Sequence, residues 1–320
     1  MPHAILFYGA AGIGKSDFIE RFAQSLLCEN VRPDHHACGQ CASCGWFSQH
    51  NHPDYRRVRP EALEDEIDDD ADAEGGKKSA KSSKTPSKDI KIEQIRALAD
   101  FMNISTHRQG LRVVVLYPAE ALNTPASNAL LKTLEEPPPG TVFLLASNSL
   151  DRLLPTILSR CRKFALPMPT HAQALAWLKE QGLNDADNWL REQGGAPLAA
   201  LAQSETGNRD DIEALLQLLA RPSVEGALKM ADKLQKAPLG TLVSCLQRWL
   251  YDVFSYKLAG NIRYYPRYRK ELEALAGKIH IGRLMAAIKS ANERRAIADH
   301  PLSPKLFIED MLLDYAACCA

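Results

Sequence analysis

The segment Gly9-Ala10-Ala11-Gly12-Ile13-Gly14-Lys15-Ser16 constrains this chain more than any other. It fits G-x-x-x-x-G-K-[ST] in full, a pattern whose glycines let backbone N–H groups face phosphate oxygens. Lys15 then reaches the β- and γ-phosphates and the Ser16 hydroxyl binds Mg²⁺. Chance alone gives the pattern in roughly one chain in a hundred of this length, with Gly at ~7%. Its flanks are those a phosphate loop requires. Ala4-Ile5-Leu6-Phe7-Tyr8 is a short apolar run that reads as a buried strand. Beyond the loop, Phe18, Ile19, Phe22, Leu26 and Leu27 recur at helical spacing through Cys28.

The same alternation continues along the chain. Strands are predicted at Tyr55–Val58, Arg112–Tyr117, Thr141–Ala146 and Arg162–Leu166. Helices are predicted at Ile90–Met102, Thr124–Glu136 and Leu150–Ser159, the second stopped by Pro137-Pro138-Pro139. Strands alternating with helices imply a parallel, doubly wound sheet. Pro167 and Pro169 mark a boundary, after which the pattern is helical to Ala320. Gly194-Gly195-Ala196-Pro197 breaks the first helical block, and Glu205–Asp211 reads as a polar linker. Between residues 61 and 88 the composition shifts. Nine acids fall within Glu61–Glu74 and five lysines follow up to Lys88. Such a stretch lacks the apolar surface to fold and is expected to be a disordered, solvated insertion.

At 320 residues two or three domains are expected, and 45% apolar with 24% charged residues is ordinary globular composition. The formal net charge of zero argues against strong autonomous DNA binding. No run approaches the ~20 apolar residues that span a bilayer. Met1-Pro2-His3 lacks a signal peptide's basic flank, so a reducing, cytoplasmic compartment is expected.

There, cysteines are expected as metal ligands or buried thiols. Cys28, Cys38, Cys41 and Cys44 give C-x9-C-x2-C-x2-C, four thiolates that fill a tetrahedral Zn²⁺ site and leave no open position, hence a structural role. Cys161, Cys245, Cys318 and Cys319 are read as packing or terminal thiols. Hydrolysis needs a carboxylate after a second strand to hold Mg²⁺ and an acid to position water. After Val113-Val114-Val115-Leu116 stand Tyr117 and Pro118, and Glu120 comes two residues late. A phosphate loop kept for folding or static nucleotide binding fits this better than an ATPase.

The phosphate loop, the cysteine loop and Asn51-His52-Pro53-Asp54 together resemble the AAA+ clamp-loader family of bacterial DNA polymerase III, its gamma/tau and delta-prime branches. Ser127–Pro138, with the run Ala129-Leu130-Leu131-Lys132-Thr133-Leu134-Glu135-Glu136-Pro137-Pro138, is similar to the family's signature helix. Leu153–Cys161, ending Ser159-Arg160-Cys161, is similar to its SRC motif. The likeness is specific from about His3 to Phe164 and weaker beyond, where Glu309–Leu313 resembles the last collar helix. Tyr117-Pro118 in place of Asp-Glu points to the delta-prime branch. So does Leu198, which stands where gamma/tau carry a nucleotide-sensing arginine. One departure is that the chain opens almost at the first strand, where the family has a short segment that helps close the nucleotide site.

The resemblance implies an AAA+, RecA-like parallel-sheet domain over residues 1–166 with a zinc module at 28–44. A helical lid over 167–207 and a helical collar over 208–320 follow. It implies a five-membered ring with gamma/tau and delta subunits, acting on the sliding clamp and primed DNA in a nucleoid-associated replisome. Arg160 is then the finger offered in trans to ATP on a neighbour. Gly9, Gly12, Gly14, Lys15 and Ser16 form a cradle complete for ATP or ADP, without hydrolysis. As part of a DNA-directed DNA polymerase holoenzyme, a nucleotidyltransferase assembly, the chain is expected to have no polymerase activity of its own. Asn148 matches the family's sensor position and is expected to be a structural hydrogen-bonding residue, and Arg162 is expected to point away from the neighbour. The alternatives are a gamma/tau-like ATPase, which requires Mg²⁺-dependent turnover, and a lone zinc-dependent nucleic-acid binder, which requires salt-sensitive DNA affinity.

Overall fold

The computed structural model describes residues 2–64, 86–103, 106–107, 110–298 and 303–319. They form two compact units, Met1–Met168 and Pro169–Ala320. In the first unit the elements run β1 (Ala4–Tyr8), α1 (Lys15–Leu27), α2 (Ala42–Ser48), β2 (Tyr55–Val58) and α3 (Ile92–Asn103). After them come β3 (Arg112–Leu116), α4 (Thr124–Glu135), β4 (Thr141–Ser147), α5 (Pro155–Arg160) and β5 (Arg162–Ala165).

All pairings are parallel, in the order β2-β3-β4-β1-β5. Side chains alternate across a strand, and here both faces are covered. Leu6, Val114, Leu116, Phe143 and Leu145 pack against Leu98, Leu130, Leu134 and Ile157 from α3, α4 and α5. Ile5, Phe7, Val113, Val115, Val142 and Leu144 face the opposite way, onto Ile19 and Ala23 of α1 and Phe47 of α2. Burial on both faces explains why the central strands read as unbroken apolar runs. β5 is the exposed edge, and its Arg162 and Lys163 discourage further pairing there.

Three local outcomes differ from the sequence expectation. Leu150–Ser159 is not one helix. It is a 3-10 turn at Leu150–Arg152 followed by α5, because Pro155 has no N–H to donate and takes the first helical turn. The cysteine loop ends in α2, whose N-terminus is capped by the Cys41 sulfur accepting the Cys44 N–H. The ends of the polar stretch are tied together: Glu61–Leu63 is a 3-10 turn, and the Ala62 N–H donates to the Ser87 carbonyl at 3.0 Å. The Glu61 carboxylate accepts from the Lys91 Nζ at 2.8 Å. The rest of the expected insertion, residues 65–85, lies outside the described residues.

The second unit is helical throughout its described residues: α6 (His171–Glu180), α7 (Ala186–Glu192), α8 (Pro197–Glu205), α9 (Arg209–Ala220) and α10 (Val224–Leu234). Then follow α11 (Leu239–Ala259), α12 (Arg269–Lys278), α13 (Ile281–Ile297) and α14 (Pro304–Cys319). The expected polar linker at Glu205–Asp211 shrinks to residues 206–208, since α8 and α9 absorb its ends. A small core of Ala174, Leu178, Trp189, Leu190 and Ala200 unites α6 to α8. The larger core surrounds Trp249, whose indole N–H donates to the Tyr315 hydroxyl at 2.8 Å while Tyr315 donates to the Leu219 carbonyl at 2.7 Å.

The end of α7 joins the two cores. Glu192, buried to 4% exposure, takes Arg209 at 2.7 Å and Arg267 at 3.1 Å. Gln193 accepts from Arg248 of α11 at 2.8 Å, and Arg209 lies over the Trp189 ring. Burial holds the Glu192 carboxyl above its ordinary range despite the two guanidinium groups. Removing one partner of a buried ionic cluster costs about 3–5 kcal/mol, less where the remaining charges reach water. Arg209 and Arg267 are partly exposed, so Glu192→Ala is expected to cost about 2–3 kcal/mol. Urea unfolding with an unchanged m-value and a lowered midpoint is the check.

Candidate functional site

Two candidate sites lie at opposite ends of α1. At its N-terminus, β1 delivers Gly9 between its two neighbours, with the Gly9 N–H donating to the Ser147 carbonyl at 3.3 Å. A Cβ on Gly9 would stand 2.5 Å from the Leu166 carbonyl oxygen, so glycine is needed for the strand to leave the sheet. Gly12 and Gly14 take positive φ of 75° and 91°, which aims successive N–H groups into the loop's hollow. Lys15 is buried, and its Nζ donates to the Ala10 carbonyl at 2.5 Å. Burial pulls the Lys15 ammonium below its ordinary range, and the Glu120 carboxylate opposes that shift. Ser16 follows on the first turn of α1. The loop thus presents the geometry of a phosphate cradle.

At the carboxyl ends of β3 and β4, Glu20 and Glu120 are each engaged by protein donors. Tyr117, in the place of a metal-binding acid, donates its hydroxyl to Glu20 of α1 at 2.5 Å. Glu20 also faces Arg57 at 3.5 Å. Burial, then the neighbouring Glu20, raise the Tyr117 phenol well above its ordinary value, so it stays a neutral donor. Glu120 sits on a 3-10 turn at Ala119–Ala121 and reaches back to the sheet edge. Its carboxylate accepts the Asn148 N–H at 3.1 Å and the Asn148 Nδ2–H at 2.7 Å. Glu120 comes two residues late in the chain, and the tight turn after Pro118 returns it to Asn148 at the end of β4.

Arg160 ends α5 and is held on its own domain. Its Nη2 pairs with Glu135, the last residue of α4, and its Nη1 donates to the Thr156 carbonyl at 2.9 Å. Its side chain keeps 32% exposure. Arg162 lies over the Phe164 ring on the edge strand, 5.7 Å from the centroid. Leu198 occupies the first turn of α8, in the second unit.

At the other end of α1 the sulfurs of Cys28, Cys38, Cys41 and Cys44 lie within 4.8 Å of one another. The pairs Cys28–Cys41 and Cys38–Cys44 stand 4.0 Å apart. A tetrahedral thiolate site with metal–sulfur bonds of about 2.3 Å has sulfur–sulfur edges of about 3.8 Å, so the cluster fits. Backbone N–H groups already point at sulfur: Cys38 to Cys28 at 3.2 Å, and Gln40 and Cys41 to Cys38 at 3.4 and 3.3 Å. The Gln40 and Cys41 N–H groups bring the Cys38 thiol down to about 6, whereas burial pushes Cys44 up to about 12. Four thiols packed this closely need a central cation to lose all their protons. Cys161, Cys245 and Cys318 are buried in the two units' cores.

His52 ties this cluster to the sheet, a role the sequence did not disclose. Its Nδ1 accepts the Asp54 N–H at 3.0 Å, which leaves Nε2–H to donate to the Ser43 hydroxyl at 2.8 Å. Ser43 passes the chain on to the Leu27 carbonyl at 2.5 Å, beside Cys28. Ser43, His52 and Asp54 are all buried. Asp54 in turn accepts the His107 N–H at 2.9 Å, and its carbonyl takes the Val113 N–H at 2.9 Å.

The 2-3-4-1-5 parallel sheet with a complete phosphate loop at its centre defines the chain's class as an AAA+ P-loop protein. Residues 1–170 match the family described as DNA polymerase III, delta subunit. The DNA polymerase III subunit delta' of Pseudomonas aeruginosa is 36% identical over 264 residues, 80% of this chain and 73% of that one. Its counterpart in Escherichia coli K12 is 33% identical over 221 residues, 68% and 59% of the two chains. A gamma subunit-related protein of Thermotoga maritima superposes with a TM-score of 0.44 at 17% identity, covering 100% of this chain and 96% of that one. The chain belongs to the delta-prime family of DNA polymerase III clamp-loader subunits. Its setting is therefore DNA replication.

The His52 joint gives a direct test. His52→Ala leaves the buried Asp54 N–H without its acceptor, a loss of about 1–3 kcal/mol. Thermal unfolding followed by the near-ultraviolet signal of Trp46, whose ring lies 6.0 Å from His52, is expected to register it.

Proposed function

We propose that this chain is the non-hydrolysing arm of the clamp loader, supplying Arg160 to ATP held by an adjacent gamma/tau subunit. One observation carries the reading. The complete phosphate cradle is paired with Tyr117 and Pro118 where hydrolysis needs two acids, and Tyr117 spends its hydroxyl on Glu20. A nucleotide on Gly9, Gly12, Gly14, Lys15 and Ser16 would be a static ligand. Residues 167–207 then serve as a lid and 208–320 as the collar that joins gamma/tau and delta in the ring. Through that assembly the chain works on the sliding clamp and primed DNA, at the replisome in the cytoplasm.

A guanidinium delivered in trans stabilises charge on the transferring phosphoryl group, an effect worth about 10³–10⁵ in rate. Arg160→Ala is expected to slow the one ATP site that faces this subunit by about that factor while assembly is unchanged. Lysine does not restore it, since a point charge lacks the planar fork. Single-turnover hydrolysis by reconstituted complexes, matched for assembly, reads the result. Equal rates would remove Arg160 from the chemistry.

The cysteine cluster is read as a structural zinc site held by Cys28, Cys38, Cys41 and Cys44. Zn²⁺ would draw all four sulfurs to thiolates and cross-link the end of α1 to the start of α2. Such sites contribute about 10–16 kcal/mol of apparent binding energy at neutral pH in small modules. Elemental analysis of reduced, freshly purified protein is expected to give one zinc per chain. Cys41→Ser is expected to abolish that zinc and unfold residues 28–48, while the helical unit keeps its protection from hydrogen exchange. Metal-free wild-type protein with a folded cysteine module would refute the assignment.

A further inference from the structure

α4 and α5 end beside each other because Leu130 and Leu134 on one and Ile157 on the other share a core with the sheet. That packing sets the last residue of α4, Glu135, against the last residue of α5, Arg160. Sequence placed these two 25 positions apart with no sign of a meeting. The guanidinium is gripped at two points. Nη2 donates to the Glu135 carboxylate; Nη1 donates to the Thr156 carbonyl at 2.9 Å and to the Ser159 hydroxyl at 3.3 Å. An arginine has five N–H donors. Among the described residues the Nε–H and one Nη2 hydrogen have no partner, and the side chain is 32% exposed. Two free N–H donors are the number a bidentate contact to phosphate oxygens uses.

We propose that Glu135 is the positioning residue for Arg160, fixing the guanidinium at the end of α5 with its unused donors turned outward to meet a neighbour's phosphate. The inference rests on the trans role given to Arg160 above. Glu135 is 49% exposed, and an ion pair this open contributes little to stability. Its effect is on freedom of movement. A long, rotamer-rich side chain loses that freedom when it reaches a phosphate across a subunit boundary. Holding it beforehand moves that loss out of the reaction step, and misplacement of a reacting group by about 1 Å can cost about 10²-fold in rate.

The test compares wild type, Glu135→Ala, Glu135→Gln, Arg160→Ala and the Glu135→Ala/Arg160→Ala double variant, each reconstituted with gamma/tau and delta at equal assembly. Single-turnover hydrolysis at the facing site is expected to slow by about 5–20-fold in Glu135→Ala, short of the ~10²-fold ceiling for displaced groups, with the KM for ATP unchanged. Glu135→Gln, whose amide oxygen still accepts from Nη2, is expected to recover most of the rate. The double variant is expected to be no slower than Arg160→Ala alone, as for residues acting through one group. Melting temperatures of all variants are expected to match. If Glu135→Ala equals or exceeds wild type while Arg160→Ala is slow, the carboxylate is neutral or restraining and the proposal is overturned. Additive losses in the double variant overturn it too. An unimpaired Arg160→Ala complex is a separate failure, that of the trans role itself.

Discussion

The sites at both ends of α1 depend on where β1 sits. It pairs with β4 on one side and β5 on the other, from Ile5 to Tyr8. Its side chains alternate into two cores, Leu6 to one and Ile5 with Phe7 to the other. A strand held on both edges and both faces cannot shift register without exposing one of those sets. Gly9 is therefore delivered to a fixed point, against Ser147 and Leu166, and the phosphate loop starts there. α1 then carries that fixed point to the cysteine cluster. Its thirteen residues span about 20 Å at 1.5 Å each, so one helix sets the distance between a phosphate cradle and a metal-competent cluster.

At the sheet's carboxyl edge Glu20 and Glu120 are each bonded to protein donors. Glu20 takes the Tyr117 hydroxyl and Glu120 takes two donors from Asn148, while Glu135 takes Arg160 at the opposite, amino edge. Carboxylates already satisfied by protein donors are poor candidates for binding Mg²⁺, which dehydrates reluctantly and demands ligands in place. The electrostatic character of the site follows from these pairings more than from any single substitution. Tyr117 alone would leave a gap; Tyr117 bonded to Glu20 fills it. Lys15 stays buried under Glu120's field, a cation in a cradle whose own backbone supplies the other donors.

The helical unit shows the same habit of satisfying buried charge with several partners. Asp252, fully buried on α11, accepts the N–H groups of Arg263, Tyr264 and Tyr265 and so fixes the loop between α11 and α12. Burial raises its carboxyl above the ordinary range even with those donors in place. Glu192 does the corresponding work at the end of α7. Unpaired, either group would be costly; paired, each specifies one arrangement of helices that apolar packing alone leaves open.

Much of this was legible in the chain itself. The phosphate loop, the C-x9-C-x2-C-x2-C spacing and the strand at Tyr55–Val58 are local: their geometry depends on backbone freedom and periodicity within a few residues. Apolar runs broken by proline and glycine also carried the alternation of strands and helices. The bounds that moved did so at local stops, at the Pro155 break, the sulfur-capped α2 and the short turn between α8 and α9. What sequence could not hold was any pairing across the sheet or between helix ends. Tyr117 with Glu20, Glu120 with Asn148, His52 with Ser43 and Arg160 with Glu135 join residues 97, 28, 9 and 25 positions apart. Residue type and spacing determined which chemistry was present. Only the packed sheet decided which groups face one another, because a hydrogen bond or ion pair depends on a few ångströms of separation that no linear pattern encodes.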